Sequence, residues 1–117
     1  MKSRGILFLL IFFITGIAVS CETKREVFIE NELTKVWRTT ICPNQKLPFH
    51  RHQYPRVVIP EQNGTLKVIY QSGREVLVHL KKEKPLLASK SQGSELHQDV
   101  NIGKRVIRVM VIELKQQ

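Results

Sequence analysis

The sequence predicts an all-β fold, a single domain built as a sandwich or barrel of about eight or nine short strands. Three observations carry that prediction. Beyond Glu22 no stretch shows the i, i+3, i+4 apolar spacing of an amphipathic helix. Runs rich in Val, Ile, Thr and aromatic residues recur between turn signals spaced along the chain. Val106 to Leu114 is apolar on both faces, which suits a central strand or one covered by a partner.

The elements follow in order. Glu22 to Arg25 is charged, so residues 21–26 read as a tether and residues 27–117 as the domain. Val27-Phe28-Ile29 is rich in strand formers, and Asn31-Glu32 bends the chain. From Leu33 to Ile41 side chains alternate, with Leu33, Lys35, Trp37, Thr39 and Ile41 on one face. Trp37 reads as a core residue. Pro43-Asn44-Gln45 is a turn signal, and after Tyr54-Pro55 a strand resumes at Arg56. Asn63-Gly64 and Ser72-Gly73 read as two hairpin turns in which Gly supplies the positive φ. They join Val57-Val58-Ile59 to the run Leu66 to Tyr70, and that run to Val76 to Leu80. Lys81 to Gly93 is polar, with a short strand expected at Leu86-Leu87-Ala88. Leu96 to Val100 follows, and Gly103-Lys104 turns the chain into the last and most apolar run, expected to be central in its sheet.

The N-terminus gives an address. Met1-Lys2-Ser3-Arg4 is a short positive region, and Ile6 to Val19 is apolar apart from Thr15 and Gly16. That run is shorter than the roughly 20 residues a spanning helix needs and fits the core of an export signal, residues 1–20. Ala18-Val19-Ser20-Cys21 resembles the lipobox of bacterial lipoproteins, in which the Cys is lipidated and becomes the new N-terminus. On that reading Cys21 carries a lipid anchor. Glu22, standing where an inner-membrane retention Asp often stands, directs the protein to the outer membrane. The open alternative is an ordinary signal, a soluble periplasmic or secreted protein, and a Cys21–Cys42 disulfide in an oxidising compartment. No Cys-x-x-Cys occurs, which excludes a zinc ribbon and a thioredoxin-type site.

The whole chain carries a formal charge of +9; without Lys2 and Arg4 it keeps 17 basic and 10 acidic residues, or +7. The basic residues are scattered, with one cluster at Lys81-Lys82-Glu83-Lys84, and are not interleaved with aromatics. A solvated cationic surface or an anionic partner is expected, and no nucleic acid.

The chemistry sits in Phe49-His50-Arg51-His52-Gln53-Tyr54-Pro55-Arg56 and in His97-Gln98-Asp99-Val100-Asn101. In extended chain His50 and His52 point the same way. Two imidazoles on one face and a third, His97, from another strand form a candidate ligand set for a divalent metal. Other groupings weigh less. Cys42 and His50 lack a third, orienting group; Glu61 and Glu95 are an acid–base pair only if the fold joins them; His79 reads as structural or surface.

These two segments resemble the cupin superfamily, small jelly-roll β-barrels. His50-Arg51-His52 matches the first cupin motif, with Gly64 downstream. His97 and Asn101 match the His-x-x-x-Asn that ends the second. The resemblance covers about residues 35–114 and departs at Arg56, which stands where the family places its metal-binding Glu. It implies a cupin-like jelly-roll barrel in which His50, His52 and His97 hold zinc, manganese, iron or nickel, and in which Arg56 faces a ligand. A guanidinium suits carboxylate or phosphate, so an envelope protein binding a small anionic or sugar-like molecule is the leading expectation. A metal-dependent enzyme of unknown substrate, and a structural envelope lipoprotein that pairs with itself or a partner, are the alternatives.

Overall fold

The computed structural model describes Gly5 and residues 20–116. The expected export segment, residues 1–20, lies outside these residues apart from Gly5 and Ser20. Eight strands and one short helix follow in the order β1 (Lys24–Glu30), β2 (Thr34–Ile41), β3 (Arg56–Pro60), β4 (Gly64–Tyr70), β5 (Glu75–Leu80), β6 (Leu86–Ala88), α1 (Lys90–Ser94), β7 (His97–Asn101) and β8 (Ile107–Leu114). They form a five-stranded sheet, β1-β2-β8-β3-β6, and a three-stranded sheet, β5-β4-β7, all pairings antiparallel. This is the jelly-roll arrangement expected of the sequence.

The most apolar run takes the central position: β8 pairs with β2 on one side and β3 on the other. Its alternate residues Ile107, Val109 and Val111 are buried. With Trp37 and Leu80 they make the core cluster, and Val58, Leu66 and Val78 pack against it. Each such side chain contributes about 1.5–3 kcal/mol when fully buried. The five of the cluster therefore give on the order of 10 kcal/mol before chain entropy is set against it.

Four sequence expectations need correction. Residues 21–26 are not a free tether, because β1 begins at Lys24, and Lys24, Arg25 and Glu26 pair with Thr40, Thr39 and Arg38 of β2. Charged side chains are compatible with this because β1 is an edge strand with one side in solvent. The polar stretch before β7 contains helix α1, started by a capping box: Ser89 Oγ accepts from the Gln92 amide while the Gln92 side chain accepts from the Ser89 amide. Asn63-Gly64 does not close a hairpin; β3 and β4 belong to different sheets, and the turn carries the chain between them. Gly64 serves there by close approach, since a Cβ would lie 3.1 Å from Ile107 Cγ1. Ser72-Gly73 is the true hairpin, joining β4 to β5 with Gly73 at φ 92°.

The fourth correction concerns Cys21. Its sulfur is bonded to that of Cys42, and a thioether-linked lipid and a disulfide at one sulfur exclude each other. The lipidation expected at Cys21 therefore gives way to the oxidised alternative. The link also removes Cys42 as a nucleophile for His50.

Candidate metal and anion site

The two sheets enclose a cavity of about 330 Å³, lined by His50, His52, Arg56, His97, Asp99 and Arg25 at its polar part. Trp37, Leu47, Leu66, Val78, Ile107 and other apolar side chains line the rest.

Backbone pairing brings the histidines together. The segment before the His pair runs antiparallel to β7: Asn44 N donates to Asn101 O, Leu47 N to Asp99 O, and Asn101 N to Gln45 O. The series ends with a reciprocal pair, His50 N to His97 O and His97 N to His50 O, both 2.9 Å. His50 and His97 are thus directly opposite each other. His52 is held separately, its amide donating to Gly93 O at 2.7 Å, with its ring stacked on Trp37 at a centroid distance of 6.2 Å. The three ring centroids lie 4.5–5.3 Å apart, and one nitrogen from each ring lies within 4.8 Å of the others. Asn101 does not join them. It is 1% exposed and donates to Ile41 O and Arg105 O, so it holds the barrel wall in place.

The donor set fits a divalent ion. His50 Nδ1 is 2.8 Å from Pro48 O, and His97 Nδ1 is 2.8 Å from Glu95 O. A carbonyl can only accept, so each Nδ1 carries the proton, and in the neutral ring Nε2 presents its lone pair. Backbone carbonyls that fix a tautomer in this way are a usual support for metal-ligating histidine. Burial is the main reason His52 is held far below its ordinary range, to about 3, with the Arg56 charge adding to it. Burial also lowers His97, against the hydrogen bond to Glu95. At neutral pH these two rings are uncharged and need lose no proton to a metal.

Arg56 opens β3 and faces inward beneath α1. Its Nη1 is buried and has no hydrogen-bond partner among the described residues. Burial pulls the guanidinium below its ordinary range, while Asp99 and Glu113 act the other way; a guanidinium stays charged in proteins regardless. Gly93 makes the approach possible: a Cβ there would stand 2.7 Å from Arg56 Nη1 and 2.8 Å from His52 Cβ.

Two cavity residues were missed in the sequence. Arg25, read as tether, has its guanidinium 4.7 Å from the Trp37 ring centroid. Asp99 has Oδ2 3.5 Å from His50 Nε2. Burial alone would raise the Asp99 carboxyl, but the contact with His50 and the other two imidazoles hold it below its ordinary value. The signal for Asp99 was its place two residues after His97, on the same strand face. Glu61 and Glu95 do not meet: Glu61 pairs with Arg38 at 2.9 Å and Glu95 with Arg74 at 3.6 Å. His79 is exposed, with Nδ1 beside Thr65 Oγ1.

No protein-family profile matches the chain, and no curated protein is significantly similar to it. Solved structures do match. A cupin domain from Bordetella pertussis Tohama I superposes with a TM-score of 0.71 at 24% identity, over 80% of this chain and 94% of that one. An RmlC-like cupin protein with a double-stranded β-helix fold from Methanocaldococcus jannaschii gives 0.63 at 10% identity, over 83% and 84%. The polyketide cyclase RemF from Streptomyces resistomycificus gives 0.58 at 16% identity, over 81% and 66%.

Proposed function

We propose that this chain, folded as a cupin-type jelly roll, binds a small organic anion whose charged head meets Arg56 and whose apolar body fills the cavity. A divalent metal held by His50, His52 and His97 stands beside that head. The carrying observation is the Arg56 guanidinium, which lines the cavity beside the three histidines and whose Nη1 is unpaired among the described residues. Leaving such a charged donor unsatisfied costs more than the roughly 1–3 kcal/mol of a neutral group. A bound carboxylate or phosphate would satisfy it with paired hydrogen bonds. Apolar walls favour an acid with a hydrocarbon or aromatic body over a sugar.

The three histidines would hold the ion through one nitrogen each, and the ion would supply Lewis acidity and positive charge. The polypeptide does the rest: Pro48 O and Glu95 O keep His50 and His97 in one tautomer, Trp37 packs against the His52 ring, and Arg56 orients the anion. A second reading is a metal-dependent enzyme. It is supported by the neutral three-imidazole set and by the polyketide cyclase among the proteins of similar fold. We place the protein outside the cytoplasm. The N-terminal apolar run supports this, as does the disulfide, since such links persist in oxidising compartments.

Calorimetry with 4-phenylbutyrate and with its uncharged amide tests the anion reading. The acid should bind at least about tenfold more tightly than the amide, equivalent to about 1.4 kcal/mol, and Arg56→Gln should erase the difference. Equal binding of acid and amide by the unaltered protein would overturn it.

A further inference from the structure

We propose that the Asp99 carboxylate is the fourth protein ligand of the ion held by His50, His52 and His97, filling the place that Arg56 leaves without an acidic group. This rests on the metal half of the reading above and not on its anion half.

Three observations carry it. His97 and Asp99 are two residues apart on β7, so both side chains leave the strand on one face, and both line the cavity. The Asp99 Oδ2 to His50 Nε2 distance is 3.5 Å. Zinc donors at about 2.0–2.2 Å from the ion, at tetrahedral angles, stand about 3.3–3.6 Å apart; the carboxylate already meets that spacing to His50, and a turn of its side chain toward the cluster of three imidazoles would complete the set. Charge agrees as well. A divalent ion near the Arg56 guanidinium needs an anion beside it, and Asp99 is the carboxylate lining the cavity among the described residues. Three neutral imidazoles and one carboxylate would leave a site charge of +1.

Zinc titration and difference infrared spectroscopy of the intact protein, grown with heavy-carbon-labelled aspartate, test the assignment. Zinc should shift a labelled carboxylate stretch in the unaltered protein and not in Asp99→Asn. Asp99→Asn should weaken zinc by at least about tenfold, and Asp99→Glu should recover part of the loss together with the shifted band. Weakened binding in Asp99→Asn with no shifted band in the unaltered protein would mean that Asp99 acts only through its field, and would overturn the assignment. Unchanged affinity in Asp99→Asn, with loss in His97→Ala, would overturn it and leave the three-histidine site standing. Failure of the unaltered protein to take zinc would overturn both. The acid-against-amide comparison is independent of all of these outcomes.

Discussion

Replacing His97 with Ala is expected to lower zinc affinity by at least about 100-fold, or about 2.7 kcal/mol, while His79→Ala leaves it unchanged. His97 is 3% exposed, and its ring is fixed by Glu95 O, so its donor nitrogen is held in place before the ion arrives and its loss removes a preorganised ligand. His52→Ala should cost a similar amount, since Trp37 stacking and the Gly93 contact place that ring as firmly. The pH dependence follows from the lowered basicities. Acid weakens metal binding because each ligand must shed its proton. His52 stays neutral until about pH 3 and His97 resists protonation through burial. Affinity should therefore fall with falling pH less steeply, and at lower pH, than for three ordinary imidazoles. Competition titration with a zinc-sensitive dye between pH 5 and 8 measures both effects. A loss of zinc binding in His79→Ala equal to that in His97→Ala would contradict the assignment.

Reduction of Cys21–Cys42 is expected to destabilise the domain by about 3 kcal/mol. The link closes a loop of 21 residues in sequence separation. Chain-entropy bookkeeping for a loop of that size gives about 3–3.5 kcal/mol from restriction of the unfolded chain. For a domain of this size that is a large share of the roughly 5–15 kcal/mol a native fold commands. The share matters more here because the barrel is hollow, with a core cluster of five buried side chains beside the cavity. Cys42 is 2% exposed, so the double variant Cys21→Ser, Cys42→Ser also buries a hydroxyl and should be no more stable than the reduced protein. Urea unfolding with and without reductant measures it. A midpoint drop of roughly 1–3 M is expected from the usual urea slope, and coincident curves would show that the link adds nothing.

Much of this architecture was legible in the residues. Val106 to Leu114 announces a central strand because both of its faces are apolar, and β8 is central. His50, His52 and His97 are legible because alternation puts the first two on one face and the cupin-like spacing supplies the third. Arg56 faces the cavity, as its place in the motif implied. The remainder depends on contacts distant in sequence. Asn63-Gly64 signals a turn, but a dipeptide cannot say which strands it separates, and β3 takes β8 and β6 as neighbours. Arg25 looks like tether because charge normally marks solvent; the aromatic face of Trp37, contributed by another strand, draws it to the cavity. The sulfur of Cys21 had two chemically sound fates, and only the approach of Cys42 decides between them. Helix α1 is one and a half turns long, too short for periodicity to reveal, although Ser89 and Gln92 carry the capping-box spacing.

In the proposed site His50, His52 and His97 bind one ion through inward-facing ring nitrogens. Imidazole nitrogen NMR of the purified protein, recorded before and after one equivalent of zinc, tests it most directly. One nitrogen of each of these three rings should move to the position of a metal-bound nitrogen, Nδ1 of His50 and His97 should stay protonated throughout, and His79 should not change. Resonances that stay in place on adding zinc, or a shift confined to His79, would contradict it.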